Sequence, residues 1–342
     1  MNLAAKYRPA TLDEIVGQPI IVDILKKMCA DPLMEIRNFL FIGPAGTGKT
    51  TSGRAMAHLL EVDTNNIIEL DAASHSGVDS IREIIEQSKK YPIGSKWKVF
   101  IIDECHALSS QSWQSLLKTL EAPPAKSIFI LCTTNPEKIP GTILSRVQTF
   151  QLSKISLENI CNRLKFIVSK ENEEGRHITY TEEAISMIAK LANGGMRDSI
   201  TLLEKCISYN EELNIENVTT SLNMPTYDDY FELLRSIAKK DNAAIIRIIN
   251  DVYNSGINFV KWFDQFHSFI CQIIKYIFLQ DITQTMIPST YQDKIANYST
   301  PHAIMCLKLA NKLIKMNQEL KTTQYLQEYA ITELCEMPVV KK

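Results

Sequence analysis

Gly43-Pro44-Ala45-Gly46-Thr47-Gly48-Lys49-Thr50 follows the apolar run Phe39 to Ile42 and precedes a helix-capable stretch containing Ala55, Ala57 and Leu59. This is a complete phosphate-binding loop between the strand and the helix that such a loop requires. Its glycines let successive backbone N–H groups converge on phosphate oxygens, helped by the positive end of the following helix. Lys49 is expected to reach the β and γ phosphates and the Thr50 hydroxyl to ligate magnesium, with Thr51 next in the same nucleotide-binding run. A Gly-rich structural turn is the competing interpretation, and the two flanks argue against it.

Ile67 to Leu70, Lys98 to Ile102 and Ser127 to Leu131 are further short β-rich runs. Between them, Val78, Ile81, Ile84 and Ile85 share one side of a helical segment from Val78 to Lys89. Trp113, Leu116, Leu117 and Leu120 form a similar stripe that ends at Pro123 and Pro124. Short apolar strands alternating with helices predict an α/β domain whose parallel sheet is covered on both faces.

The run Lys98 to Ile102 ends in Asp103-Glu104-Cys105-His106. An apolar strand terminating in adjacent acids supplies the second half of a nucleoside triphosphatase site. Asp103 would orient magnesium and Glu104 would polarise the attacking water. Asp-Glu alone could merely cap a helix; with the phosphate loop upstream, the catalytic interpretation prevails. His106 reads as a local hydrogen-bonding histidine, since no His-x-x-x-His partner is near. The next run ends at Cys132-Thr133-Thr134-Asn135, where Thr134 is preferred over Asn135 as a group touching γ phosphate and water. Arg146, after Leu144-Ser145, and Arg197, after Gly194-Gly195-Met196, are candidate arginines, each weighed against an ordinary surface ion pair.

Beyond Ile155 the pattern is helical. Ile160, Leu164, Ile167 and Val168 form one stripe, Ala184, Ile185, Ile188 and Ala189 a second, and Ile200, Leu203 and Ile207 a third. A weak boundary is expected at Asn223 to Thr226, where Pro225 interrupts. Helices are then expected near 227–239, 242–254, 258–279, 302–318 and 321–335, with a polar loop from Ser289 to Thr300. Trp262, Phe263, Phe266 and Phe269 lie at helical spacing and read as packing anchors rather than a stacking platform.

The chain of 342 residues is 45% hydrophobic and 22% charged, which excludes a disordered or fibrous class. A net charge of −2 does not announce a nucleic-acid binder, although a local cationic surface remains compatible. The most apolar long stretch, Phe259 to Leu279, is broken by Lys261, Asp264, Gln265, His267, Gln272 and Lys275, so no membrane span is expected. The first ten residues do not read as a secretory leader, since Lys6, Arg8 and Pro9 have no apolar stretch behind them. The 8 cysteines contain no Cys-x-x-Cys and read as separate thiols of a reducing compartment.

Taken in order, the motifs resemble those of the AAA+ clamp-loader ATPases, especially the bacterial gamma/tau family of DNA polymerase III. The resemblance is carried by Lys6 to Gln18, the phosphate loop, Glu69 to Ser74, Gly77 to Ile84, the acidic strand end, Leu116 to Pro124, Thr133 to Pro140, Ser145-Arg146 and Gly195 to Asp198. It implies an AAA+ α/β domain over 1–153, a helical lid over 154–223 and an all-helical collar over 224–342. It also implies ATP and Mg2+ as cofactors, homologous subunits in a pentameric assembly, a sliding clamp and primer-template DNA as partners, and a cytoplasmic location, that of the host for a viral version. In family terms Tyr7, Arg8, Pro9, Val16 and Gly17 lie near the adenine. Thr134 resembles the first sensor, Arg197 the second sensor acting in cis, and Arg146 the finger that completes a neighbour's site. The sequence departs from the family in lacking cysteines between Thr50 and Phe100, where a four-cysteine zinc module is usual, and in carrying Val147 after Ser-Arg. No long tau-type tail is expected. Another AAA+ DNA remodeller, for branch migration or fork maintenance, and a non-hydrolysing scaffold are the alternatives.

Overall fold

The computed structural model describes residues 2–31, 35, 37–222 and 227–336. They divide into two compact units, residues 1–179 with 188–211, and residues 180–187 with 212–342. The expected boundary at Asn223 to Thr226 lies outside the described residues.

The first unit opens with α1 Leu3–Lys6 and α2 Pro19–Ala30. It continues through β1 Asn38–Ile42, α3 Lys49–Leu59, β2 Ile67–Asp71, α4 Val78–Ser88, β3 Lys98–Asp103, α5 Ser110–Glu121 and β4 Ser127–Thr133. The short α6 Gly141–Leu144 leads into β5 Gln148–Gln151, and α7 Leu157–Glu173 follows. The strands form one five-stranded sheet in the order β2-β3-β4-β1-β5, parallel throughout, with Phe39 opposite Ile130 and Ile101 also opposite Ile130.

Alternation along the strands builds two cores. Phe39, Phe41, Val99, Ile101, Ile128 and Ile130 face one side and pack with Leu25 of α2 and Met56 of α3. Leu40, Phe100, Ile102, Phe129 and Leu131 face the other and pack with Ile81 and Ile84 of α4 and Trp113, Leu116 and Leu120 of α5. A sheet buried on both faces needs apolar residues at every strand position, so its inner strands are the legible ones. The edge strand β5, which the sequence pattern does not indicate, buries only Phe150. Strands β3 and β4 extend past the apolar runs to Asp103 and Thr133, which brings polar side chains to the sheet's C-terminal edge.

Three helices carry the stripes expected after Ile155: α7, α8 Glu182–Leu191 and α9 Met196–Tyr209. Ile160, Leu164, Ile167, Val168, Ile185, Ile188 and Leu203 are buried. A further helix, α10 Ile215–Ser221, is capped by Asn214, whose side chain accepts from the Asn217 N–H.

The second unit contains α11 Tyr227–Lys239, α12 Asn242–Asn254, α13 Phe259–Leu279, α14 Gln292–Ile295, α15 Thr300–Leu320 and α16 Leu326–Cys335. Its core is aromatic, with Trp262, Phe263 and Phe266 fully buried and the rings of Trp262 and Phe266 stacked at 5.8 Å. These side chains are packing anchors, as their spacing suggests. The span Ser289 to Thr300 is not a plain loop: it contains a 3-10 turn and α14, because Ile295 is fully buried and draws its segment into the core. Among the described residues, no helix is long and apolar enough to cross a membrane.

Candidate functional site

A cleft of about 370 Å³ opens beside the phosphate loop. Ala45 to Thr51 line it on one side, and Tyr7, Arg8, Pro9 and Val16 of the N-terminal segment on another. Asp103, Glu104, Met196, Arg197 and Ile200 are also part of the wall.

The loop's shape follows from its glycines. Gly43 has φ 152°, and a Cβ there would fall 2.5 Å from the Leu152 carbonyl oxygen. Gly46 has φ 72° and lies against Gly195, whose neighbour Met196 donates its N–H to the Gly46 carbonyl at 2.9 Å. The phosphate loop and the first turn of α9, which bears Arg197, are therefore joined through the backbone. Lys49 is only 6% exposed, and its ammonium donates to the carbonyls of Gly43 and Pro44 at 3.0 and 2.9 Å. A buried ammonium held by the carbonyls of its own loop is suited to exchange them for phosphate oxygens.

At the start of α3 the Thr50 hydroxyl donates to Asp103 Oδ2 at 2.6 Å, placing two oxygen ligands for a hard cation side by side. The Glu104 N–H donates to Asp103 Oδ1 at 2.9 Å, and Glu104 itself has φ 45°. This left-handed backbone turns its carboxylate toward β4. There Glu104 Oε2 lies 3.0 Å from the Thr134 hydroxyl and 3.2 Å from His106 Nδ1. The same hydroxyl is 2.9 Å from Asn135 Oδ1, so its one proton serves either acceptor. His106 Nδ1 is 3.0 Å from the Thr133 hydroxyl, in keeping with a local hydrogen-bonding role.

Basic and acidic side chains both line the cleft. Arg8, Arg54 and Arg197 all line it. Burial lowers the pKa of Arg8, and the positive charges of Arg54 and Arg197 lower it further. Arg54 pairs with Glu69, whereas the guanidinium groups of Arg8 and Arg197 have no ion pair among the described residues. A polyphosphate with a divalent cation fits such a donor set: backbone N–H groups, a buried ammonium, two unpaired guanidinium groups and a hydroxyl beside a carboxylate.

Several expected site residues stand elsewhere. Gly17 packs against Ile155, and Gly43 and Pro44 act through the carbonyls that hold Lys49. Thr134 reaches the cleft only through Glu104. Arg146 is apart from the cleft, with its guanidinium on Glu121 of α5 at 2.6 Å. Sequence reasoning missed Arg54, Glu69 and Arg163, which also line the cleft. Arg54 follows Thr50 by one helical turn and was detectable from that spacing; Glu69 and Arg163 come near only through tertiary packing. Tyr7 is fixed from behind, its hydroxyl donating to buried Glu171 of α7 at 2.8 Å and its carbonyl accepting from Arg163 at 2.9 Å.

Fold and site together define a P-loop nucleoside triphosphatase domain of the AAA+ class. The fold resembles that of the Thermotoga maritima RuvB Holliday junction branch migration motor, with a TM-score of 0.52 at 19% identity over 68% of this chain and 79% of that one. Residues 47–156 match the family described as DNA polymerase III, delta subunit, and residues 159–212 the DNA polymerase III clamp loader subunit, ATPase lid domain. The DNA polymerase III subunit gamma of Buchnera aphidicola subsp. Schizaphis graminum is 35% identical over 278 residues, 75% of each chain. The gamma/tau subunit of Mycoplasma genitalium is 31% identical over 329 residues, 89% of this chain and 54% of that one. The tau subunit of Bacillus subtilis is 30% identical over 356 residues, 96% of this chain and 62% of that one. The chain therefore spans between about half and three quarters of the length of these relatives. It belongs to the DNA polymerase III gamma/tau family of clamp-loader AAA+ ATPases.

Proposed function

We propose that this chain is an ATP-hydrolysing subunit of a sliding-clamp loader, working in a pentameric ring of homologous subunits on primer-template DNA. Lys49 and the loop N–H groups would hold the β and γ phosphates of ATP, and Thr50 and Asp103 the Mg2+ ion. When bound, that ion neutralises phosphate charge. Glu104 would take the role of polarising water, held in place by Thr134. Tyr7, Arg8, Pro9 and Val16 would enclose the base, and Arg197 would carry the state of the γ phosphate into α9. The division into 1–153, 154–223 and 224–342 as ATPase, lid and collar is part of this proposal.

The observation that carries it is the separation of the arginines. Arg8 and Arg197 face the cleft of their own chain, while Arg146 is held on a different part of the same unit. An arginine that cannot serve its own cleft is suited to a neighbour's. Subunits would then hydrolyse ATP only where two of them meet, which links assembly to nucleotide state.

ATP hydrolysis by the purified assembly, measured with clamp and primer-template DNA added separately and together, tests this function. The highest rate is expected with both present. Strong stimulation by duplex DNA with no response to a clamp would point instead to another AAA+ DNA remodeller.

A further inference from the structure

Arg146 lies in the turn between α6 and β5, and two residues from distant parts of the chain hold it. Its Nε and Nη2 both donate to Glu121 Oε1, at 3.0 and 2.6 Å, and its Nη1 donates to the Thr142 carbonyl at 2.5 Å and the Ser145 hydroxyl at 2.9 Å. Its carbonyl accepts from Asn38 Nδ2 at 3.1 Å. The same Nδ2 donates at 2.7 Å to the carbonyl of Leu120, the residue before Glu121. One amide thus ties the backbone that carries the arginine to the backbone that carries its carboxylate partner.

Asn38 is 6% exposed, and its Oδ1 is buried with no hydrogen-bond partner among the described residues. Both neighbours of the amide are carbonyl oxygens, so the nitrogen must face them and the oxygen is the atom left over. An apolar side chain would avoid that unsatisfied acceptor. Packing alone therefore gives no reason for an asparagine here; the two donated hydrogen bonds do. Asn38 is also the first residue of β1, the strand whose other end runs into Gly43 and the phosphate loop. At about 3.3 Å per residue, the two ends of β1 lie roughly 13 Å apart. One rigid central strand carries a nucleotide loop at one end and the support of Arg146 at the other.

An exposed ion pair by itself fixes a long side chain poorly. The side chains of Glu121 and Arg146 are 46% and 31% exposed, within reach of another subunit. The buried amide fixes both backbones, which sets the geometry of the pair before any neighbour arrives.

We propose that Asn38 and Glu121 form a mount for Arg146, Asn38 fixing the backbone and Glu121 the guanidinium, so that the arginine is presented pre-oriented to the nucleotide site of a neighbouring subunit. Both are positioning residues. The proposal rests on the assignment of Arg146 to a neighbour's site.

The test uses mixed assemblies of full-length chains in which only one kind of interface can react. Acceptor chains carry Arg146→Ala and keep an intact cleft; donor chains carry Lys49→Ala and keep Arg146. Adding Asn38→Leu to the donor should lower the single-turnover rate of ATP hydrolysis by roughly tenfold to a hundredfold, the scale of a small misplacement of a reacting group. The apparent ATP affinity should not change. Adding Asn38→Leu to the acceptor should leave the rate unchanged, an asymmetry that general loss of stability cannot produce. Glu121→Ala, at an exposed position, should reproduce the donor effect if Asn38→Leu folds poorly, and Glu121→Gln, which keeps an acceptor oxygen, should restore part of the rate. Equal effects in donor and acceptor, or none in the donor, overturn the mount. If donors carrying Arg146→Ala are as active as donors that keep the arginine, the neighbour assignment itself fails. The mount is still decided in the single chain by the Arg146 Nε–H proton, identified by its loss in Arg146→Lys. Its solvent exchange should quicken in both Asn38→Leu and Glu121→Ala, and unchanged exchange in both sinks the proposal.

Discussion

Glu104 holds a left-handed backbone at φ 45°, a conformation that costs a residue with a Cβ about 1–2 kcal/mol. The cost is offset by what the turn achieves. It brings the carboxylate off the end of β3 and onto the Thr134 hydroxyl, while the Glu104 N–H stays on Asp103. Two adjacent acids are thereby given different surroundings, Asp103 with the Thr50 hydroxyl and Glu104 with Thr134 and His106. Glu104→Gln preserves the hydrogen bond from Thr134 and removes the base, so nucleotide affinity should be nearly intact. Single-turnover hydrolysis should fall by about 10²-fold or more. Lys49→Ala should fail earlier, at binding, because it deletes the buried ammonium. Equilibrium binding of a fluorescent ATP analogue beside quenched-flow hydrolysis separates the two outcomes, and wild-type hydrolysis by Glu104→Gln removes the assigned role. These residues were legible in the sequence because a phosphate loop and an acidic strand end are local motifs. Asn38 and Glu171 were not, since their partners lie 82 and 165 positions away along the chain.

Helix α7 is joined to the N-terminal segment through Glu171, which is 4% exposed. Its carboxylate accepts from the Lys6 ammonium at 2.6 Å and the Tyr7 hydroxyl at 2.8 Å, and Arg176 lies 3.2 Å from its other oxygen. Burial alone would raise the Glu171 pKa. The hydrogen bonds from Lys6 and Tyr7, with the charges of Lys6 and Arg176, outweigh burial and hold it below the ordinary glutamate value of 4.5. A carboxyl whose pKa is depressed by folding stabilises the native state above its unfolded pKa. That contribution is lost as pH falls through the lower folded value. Glu171→Gln should therefore melt lower than wild type at neutral pH, by about 2–4 °C for each kcal/mol lost in a unit of this size. The gap should narrow as the pH is taken below 4.5. Tyr7 lines the nucleotide cleft, so the variant should also bind ATP more weakly at neutral pH. Melting curves across that range check the sign, and a gap that widens in acid contradicts it. The same contrast governs which elements could be read in advance. Inner strands β1, β3 and β4 each carry an unbroken apolar run of four or more residues, whereas β5 is exposed except for Phe150, and α14 is hidden in a polar segment with one buried isoleucine.

At the scale of the whole chain, the sheet core of the first unit and the aromatic core of the second share no residue among those described. One is divided between the two faces of the parallel sheet, and the other is the aromatic cluster around α13. Nucleotide should act on the first alone, because every residue that lines its cleft belongs to that unit. Binding at a hundred times the dissociation constant stabilises a site by about 2.7 kcal/mol. Truncating a buried phenylalanine costs about 3–5 kcal/mol. Phe266 is fully buried among Trp262, Tyr230 and Phe269, so Phe266→Ala should cost that much in the second unit. Of the 3 tryptophans, Trp97 and Trp113 lie in the first unit and Trp262 in the second. A chain carrying Trp97→Phe and Trp113→Phe therefore reports only the second unit by fluorescence. In that background Phe266→Ala should lower the fluorescence transition, while ATP with magnesium should move it little. A mant-nucleotide binding curve should be the same with and without Phe266→Ala at temperatures below that transition. If ATP raises the Trp262 transition as much as it raises the calorimetric transition of the first unit, the two cores unfold together. Assembly and nucleotide binding would then have to be treated as properties of one cooperative body.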